Sequence, residues 1–259
     1  MSTHVTTELI KELRDSTGIS VMQCKNALIE ADGDMKKAIA ILKKTSSDIA
    51  LKKADRNAKD GAVIIKSTDN KIVMISLRCE TDFVSKNEDF ASLLSKLSAI
   101  ALTDGIDQMK KVAKEMIDPL IQKTGENIQL GEAFQIEGNT LGSYVHNNKS
   151  AVIVSLDGGN SELAKDIAMH ITAMKPEYLS PEDITEEIKK TMFEVFQKEI
   201  EDINKPAEIK KKMLDGKIGT YFKEKTLLDQ SFIKNSEETI GQLLEKSKAK
   251  IKEIKRYSI

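Results

Sequence analysis

The chain is poor in the residues that mark several common classes of protein. Its 259 residues include no tryptophan, two cysteines, three histidines and only 4% aromatic residues. The 40 Lys and Arg residues are balanced by 41 Asp and Glu residues, which gives a formal net charge of −1. Broad nucleic-acid binding depends on excess positive charge or on aromatic stacking, so direct binding of nucleic acid is not expected. Because no apolar run approaches the roughly 20 residues that span a bilayer, no membrane contact is expected either.

Motifs for covalent or acid–base catalysis are missing. His4, His146 and His170 form no His-Glu-x-x-His pattern, and no Cys/His pair has the spacing of a zinc site. The phosphate-binding patterns Gly-x-x-x-x-Gly-Lys-Ser/Thr and Gly-x-Gly-x-x-Gly are also absent. Cys24 and Cys79 are expected to be reduced thiols of a cytoplasmic protein, since the N-terminus has no signal-peptide pattern. These absences predict a binding protein rather than an enzyme, with no metal and no cofactor.

Residues 1–55 are predicted to form a bundle of three short helices. Each helix has apolar residues at helical spacing: Leu9, Ile10 and Leu13, then Cys24, Ala27, Leu28 and Ala31, then Met35, Ala38, Ile39 and Leu42. Ser20 and Gln23 have the spacing of a capping box. Gly33 suits the left-handed C-cap of the second helix, and Asp34 suits the N-cap of the third. Met22 has two open interpretations, an ordinary core residue or an exposed contact for another protein.

After a polar linker, a hairpin followed by a helix is predicted twice. The first hairpin pairs Gly61–Lys66 with Ile72–Leu77, and the second pairs Gly138–His146 with Ala151–Leu156. The helices are marked by Phe90, Leu93, Leu94, Leu97 and Ala101 in the first case, and by Leu163, Ile167, Ala168 and Ile171 in the second. The chain is therefore predicted to be α+β, with a core of two related subdomains at residues 56–137 and 138–259. Chance similarity between two common motifs remains an alternative.

An antiparallel helical hairpin is predicted as an insertion at about residues 182–226. An apolar stripe follows one charged helix, Asn204-Lys205-Pro206 breaks it, and a second helix follows. The stripe is Ile184, Ile188, Met192, Val195 or Phe196, Ile200 and Ile203, and the second helix continues it with Ile209, Met213 and Leu214. Such a coiled-coil hairpin either packs on its own core or protrudes toward a partner. A homodimer or a 2:2 complex through it is left open.

The most informative segment is Arg78–Asn87, which directly follows the apolar run Ile72–Leu77. It places a carboxylate, Asp82, beside an aromatic ring, Phe83, at a predicted strand-to-helix corner. Such a pair can project as a small wedge with one polar and one apolar tip. The alternative is a corner in which the carboxylate caps the helix and the ring packs in the core.

Arg78–Phe90 is one of four separated segments that together carry a family pattern. The others are Leu13–Arg14 with Thr17–Leu28 and Gly33–Asp34, then Gly125–Ile128 with Gly142–His146, and finally Ala168–Ala173 with Lys175–Pro176 and Leu227–Phe232. In this order they resemble the bacterial elongation factor Ts family, and they span nearly the whole chain. The resemblance implies a UBA-like helical domain at the N-terminus and guanine-nucleotide exchange on elongation factor Tu during translation elongation.

The resemblance also implies which residues contact elongation factor Tu. The helical domain and the first subdomain would grip the nucleotide-binding domain of Tu, and the second subdomain would hold its third domain. Asp82 and Phe83 would insert between helices near the Mg²⁺ and phosphate site of Tu. The implied contact residues are Thr81, Asp82, Phe83, Val84, Val21, Met22, Lys25, Gly125 and His146.

Some positions depart from the family pattern. Cys79 stands where the family usually has Gly, which is tolerable if its side chain points outward. Val21 replaces one of two Met residues. Residues 147–151 replace a Gly and Arg-Ile-Gly pattern, which is expected to weaken the contact at His146. Many members continue beyond the position of Ile259 into a further helical module, so a Tu contact made by that module should be missing.

Two other functions are weighed against exchange. A structural adaptor would use the helical bundle and the helical hairpin to bridge partners, and it predicts tight binding without a change in the nucleotide release rate. A hydrolase is a distant third, because no residue pattern supplies the chemistry.

Overall fold

The structure is a computed structural model that describes residues 5–201, 203 and 205–259. It is an α+β protein with small antiparallel sheets. The elements up to residue 137 are α1 Thr7–Thr17, α2 Val21–Glu30, α3 Met35–Lys53, β1 Asp60–Ser67, β2 Lys71–Cys79, α4 Asp82–Ser85, α5 Glu88–Asp104, α6 Ile106–Thr124 and β3 Gln129–Glu137. Those that follow are β4 Thr140–His146, β5 Ser150–Asp157, α7 Ser161–Met174, α8 Glu186–Glu201, α9 Ala207–Lys225, β6 Ser231–Phe232, β7 Asn235–Thr239, α10 Ile240–Lys246 and β8 Lys250–Ser258. Among the described residues, no helix is both long enough and apolar enough to cross a membrane.

The chain divides into two compact units. The first comprises the chain up to Glu137 together with Val145–Ala151 and Lys255–Ile259. The second comprises Gly138–Tyr144 and Val152–Ile254. The predicted three-part division at residues 55 and 137 is not tested by this partition and stays a prediction.

Helices α1, α2 and α3 stand where the sequence predicts them and share an apolar core. That core is made of Leu13, Ile19, Cys24, Ala27, Leu28, Ala31, Ala38 and Leu42. Gly18 ends α1 in the left-handed region at φ 68°, and the Asp34 carboxylate accepts the Lys37 amide at 3.0 Å to cap α3.

Two details of the bundle differ from the prediction. The second helix ends at Glu30 and its C-cap is Ala31, so Gly33, at φ 80°, lies beyond the cap. It still accommodates the left-handed turn there, because its amide donates to the Leu28 carbonyl at 2.8 Å. The Ser20 hydroxyl accepts the Gln23 amide at 3.4 Å but donates to the Gln23 side chain, so only half of the predicted capping box forms.

The first sheet has the order β1-β2-β3, with both neighbours antiparallel to the central strand β2. The predicted strand pair and the helix after it are present, whereas β3 and the long helix α6 were not predicted. The β-branched residues of β2 pack on α5 because one face of the sheet must be buried. The centre of this core is Val73, Ile75, Leu77, Phe90, Leu94 and Leu97.

The second sheet has the order β4-β5-β8. Strands β4 and β5 and helix α7 lie where the sequence predicts them, whereas β6, β7, α10 and β8 were not predicted. In the second unit, Val152, Val154, Ile167, Ala168 and Ile171 form a core with residues of α10. Leu163, predicted to be buried, is only partly buried.

Helices α8 and α9 pack against each other in opposite directions. The ring of Phe196 lies 5.5 Å from that of Tyr221, and Lys217 pairs with Glu199 at 2.9 Å. The first helix begins at Glu186, so Ile184, the first residue of the predicted apolar stripe, precedes it. Asn204 of the predicted break lies outside the described residues, as does His4.

Candidate functional site

The corner between β2 and α4 presents Phe83 to solvent. Phe83 is 83% exposed, more than any other large apolar side chain in the described residues. The aromatic residue that fills the core beneath is Phe90, which is fully buried. The interpretation of Phe83 as a core residue is therefore wrong, and its ring is free to contact another molecule.

Asp82 is the first residue of α4 and stands beside this ring. Its carboxylate pairs with the Lys86 ammonium one turn later at 2.7 Å. The hydrogen bond from Lys86, followed by the charge of Lys86, lowers the pKa of Asp82 below its usual value. A negative charge at a helix N-terminus is favourable. The corner therefore carries one ionised tip and one apolar tip.

A carboxylate from elsewhere in the chain braces the start of α4. Thr81 is the N-cap residue, yet its side chain makes no capping bond. Instead, the Glu126 carboxylate accepts the backbone amides of Glu80 and Thr81, each at 3.0 Å, and the Thr81 hydroxyl at 2.6 Å. These three bonds fix the backbone two residues before Phe83.

Gly125 puts Glu126 in place. It ends α6 at φ 77°, and its amide donates to the Ile121 carbonyl at 2.9 Å. A β-carbon at Gly125 would meet nothing within 4 Å, so the demand for glycine here comes from the left-handed backbone and not from crowding. The carbonyl of Gly125 accepts the Lys53 ammonium.

The base of the corner is an ion pair. Lys149, from the tip between β4 and β5, donates to Asp60 at 2.5 Å, to the Gly61 carbonyl at 2.6 Å and to the Ser85 hydroxyl at 3.3 Å. Desolvation disfavours the Asp60 carboxylate, but hydrogen bonds from Lys149, Ser85 and the Gly61 amide outweigh it and lower the pKa of Asp60 to about 2. Asp60 is therefore ionised at neutral pH.

Cys79 points into the core and not outward as the sequence interpretation required. It is fully buried, and its thiol donates to the Thr81 carbonyl at 3.2 Å. Burial, with the nearby charges of Asp60 and Glu126, raises the pKa of Cys79 to about 12. The protonated thiol thus adds a further contact to the backbone of the corner.

The other predicted contact residues occupy three places. Val21 is 53% exposed and Met22 65% exposed on α2, which settles Met22 as a surface residue, and Lys25 is exposed on the same helix. Val84 is half-buried against the first core. His146 is exposed at the end of β4, and its ring lies 3.3 Å from the Asn147 side chain.

The structure joins Thr81–Val84 with Gly125, but the residues that brace them were not predicted. Glu126 lies in the family segment Gly125–Ile128, but the sequence predicts no role for it, and Lys149 lies in the segment 147–151 that departs from the family pattern. Asp60 and Ser85 were not singled out. Glu126 is 45 residues from Thr81, and Lys149 is 89 residues from Asp60. No local sequence pattern could therefore assign these contacts.

The third histidine is a core residue. His170 is buried, shares a hydrogen bond with Gln230 at 2.9 Å, and burial lowers its pKa. Within the described part of the chain, no cluster of three or more His, Cys, Asp or Glu residues could hold a metal ion.

Comparison with known proteins shows which family the chain resembles over most of its length. The family model described as Elongation factor TS matches residues 80–259. The chain is 39% identical to Elongation factor Ts of Hahella chejuensis, over 98% of this chain and 92% of that protein. It is 37% identical to Elongation factor Ts of Alcanivorax borkumensis, over 97% of this chain and 93% of that protein.

Proposed function

Because the chain belongs to the elongation factor Ts family, we propose that it is a guanine-nucleotide exchange factor for elongation factor Tu in translation elongation. It acts by binding and conformational coupling, in the cytoplasm, and it forms or breaks no covalent bond. The absence of a catalytic residue pattern in the sequence is consistent with such a role.

One observation carries the proposal: the exposure of Phe83 on a corner held by hydrogen bonds. A large apolar side chain that stays in solvent loses the free energy of burial, about 2–3 kcal/mol for a Phe. That free energy becomes available when the ring enters a partner. Because Glu126 and Cys79 fix the backbone beside it, little additional ordering is needed on binding.

In the proposed mechanism, Asp82 and Phe83 displace the surroundings of the Mg²⁺ and phosphate site of Tu. Mg²⁺ demands near-ideal octahedral oxygen geometry, so a small displacement weakens both the metal and GDP. The coupling between factor and nucleotide is reciprocal. A tenfold loss of nucleotide affinity needs about 1.4 kcal/mol, and burial of Phe83 at about 2–3 kcal/mol is sufficient for a large effect.

The remaining contacts extend the interface. Val21, Met22 and Lys25 contact Tu from a UBA-like bundle, with Thr81, Val84, Gly125 and His146 completing the predicted set.

The two hairpin-plus-helix subdomains are related, and the α8–α9 pair is an inserted coiled-coil hairpin. Its exposed apolar residues suit either Tu or a second copy of this chain in a 2:2 complex.

The test is release of a fluorescent GDP analogue from elongation factor Tu, followed by stopped flow. The wild-type chain should accelerate release in proportion to its concentration. Phe83→Ala should lower the acceleration at least about tenfold, because it removes an apolar contact of about 2 kcal/mol. Leu51→Ala is the control, since Leu51 is also a strongly exposed apolar residue, at 66%, and is not one of the implied contacts. Normal exchange by the combined Asp82→Ala and Phe83→Ala variant would refute the wedge.

The adaptor function remains a second candidate, supported by the exposed Val21 and Met22 on α2. It predicts tight binding to Tu with no change in the GDP release rate. The same stopped-flow experiment, combined with a binding measurement, separates the two functions.

A further inference from the structure

We propose that Lys149 is a positioning residue for the Asp82–Phe83 corner, a role that depends on the proposed function for its effect on exchange. Lys149 belongs to the hairpin tip and not to the corner. Its ammonium nevertheless reaches three groups beneath α4: the Asp60 carboxylate, the Gly61 carbonyl and the Ser85 hydroxyl. It is the side chain through which the tip holds the base of the corner.

The backbone around Lys149 is itself fixed. Asn147 and Asn148 adopt left-handed conformations at φ 50° and 55°, which Asn tolerates better than most residues. The Lys149 amide donates to the His146 carbonyl at 2.9 Å, and the Asn148 carbonyl accepts the Val63 amide at 2.8 Å. The Ile259 amide donates to the Lys149 carbonyl at 2.9 Å. The lysine therefore acts from an anchored position.

The path from Lys149 to the wedge is short. Lys149 donates to the Ser85 hydroxyl at 3.3 Å, and that hydroxyl donates to the Asp82 carbonyl at 3.1 Å. The Asp82 carbonyl also accepts the Lys86 amide at 3.1 Å, the bond that closes the turn of α4 around Phe83. A helix of one turn has little stability of its own. Its orientation must then come from contacts of this kind.

Lys149 also neutralises a partly buried carboxylate. Without its ammonium, the charge of Asp60 would lose its cationic partner, and the Gly61 carbonyl would lose a donor. Removing one partner of such a pair leaves the other uncompensated, so the local backbone is expected to shift. The substituted segment 147–151 thus keeps a cationic link between the tip that carries His146 and the corner that carries Phe83.

The experiment compares Lys149→Met with Lys149→Arg and with Lys71→Met. Lys71 is a matched control, because it also donates to a backbone carbonyl, that of Leu102 at 3.1 Å, from the start of β2. Amide hydrogen exchange is measured at Ser85, Lys86 and Asn87, whose amides close α4. GDP release from elongation factor Tu is measured over a range of factor concentrations, and urea unfolding reports global stability.

We expect Lys149→Met to accelerate amide exchange in α4 and to lower the maximal GDP release rate roughly tenfold, because small misplacements of a contact group are costly. Lys149→Arg should restore most of both, and Lys71→Met should change neither. In the Phe83→Ala background, Lys149→Met should have little additional effect on the GDP release rate, because both changes act through the Phe83 side chain. If Lys149→Met instead acts through a general loss of stability, it should reduce the GDP release rate by the same factor in the wild-type and Phe83→Ala backgrounds. That result would overturn the proposal.

Unchanged α4 exchange in Lys149→Met would also overturn it, whatever happens to GDP release. If the wild-type chain fails to accelerate GDP release, the proposed function fails. The amide exchange comparison still decides whether Lys149 holds the corner, because it needs no partner protein.

Discussion

The corner at Phe83 and the α8–α9 pair both expose apolar side chains, but they support them differently. Behind Phe83 stand a carboxylate with three hydrogen bonds, a buried thiol and an ion pair. Behind Phe193 and Val195 stands a pair of helices whose buried residues, within the part of the chain that the structure describes, are Ile200 and Leu214. Exposure of an apolar residue is common on protein surfaces. The corner differs because its exposed side chain stands on a backbone that these contacts fix.

The largest predicted effect comes from removing the brace of the corner. Glu126→Ala deletes the acceptor of the Glu80 and Thr81 amides and should lower the free energy of unfolding by about 2 kcal/mol, because these hydrogen bonds are charge-assisted. It should also reduce the acceleration of GDP release by at least about tenfold. Urea unfolding and stopped flow measure the two effects. Glu115→Ala is the control, since Glu115 makes an exposed ion pair with Lys43.

If Glu126→Ala released GDP as fast as wild type, the hydrogen bonds would not be needed to hold the wedge. The contrast between the corner and the helical pair would then reduce to the greater exposure of Phe83 alone.

A smaller effect is expected from the ion pair beneath the corner, and it depends on pH. The pKa of Asp60 is about 2 in the folded chain and 3.8 as its ordinary value. The unfolded chain therefore binds more protons between these values, so the stabilisation is complete above about pH 4 and disappears as the pH falls toward 2. At pH 7, Asp60→Asn should cost about 1 kcal/mol after allowance for solvent screening.

Urea unfolding of wild type and Asp60→Asn at several pH values checks this prediction. The difference between the two proteins should shrink through that window. A difference that stays constant from pH 7 to pH 2 would show that the ionisation of Asp60 does not contribute.

The smallest effect is predicted for the helical pair. Glu199→Ala removes the ion pair with Lys217, in which both side chains are close to half exposed. Exposed pairs contribute little, so the free energy of unfolding should change by at most about 0.5 kcal/mol. GDP release should not change. A loss comparable to that of Glu126→Ala would mean that the helical pair is as firmly supported as the corner.

Local structure was largely predictable from the sequence. The apolar run Ile72–Leu77, the cap at Asp34 and the break at Pro206 each act over a few residues, and the corresponding elements are present. The exposed corner was also predictable as one of two alternatives, because the pattern places Asp82 and Phe83 directly after a strand. The choice between them required the position of Phe90.

The unpredicted parts are non-local or conflict with a local rule. Strand β3 is assigned by its pairing with β2, more than fifty residues earlier, and its own residues are mostly half-buried. Helix α6 contains Pro119, which usually argues against a helix interior. Glu126 and Lys149 brace the corner across comparable separations, and the charge of either residue says nothing about its partner.

The burial of both thiols has a practical consequence for spectroscopy. Cys24 and Cys79 are fully buried, and they are the two cysteines of the chain. A maleimide dye should therefore react with the folded chain only where a surface cysteine has been introduced, for example by Val195→Cys on α8. A single introduced cysteine can therefore be labelled without replacing Cys24 or Cys79, and the wild-type protein is the unlabelled control.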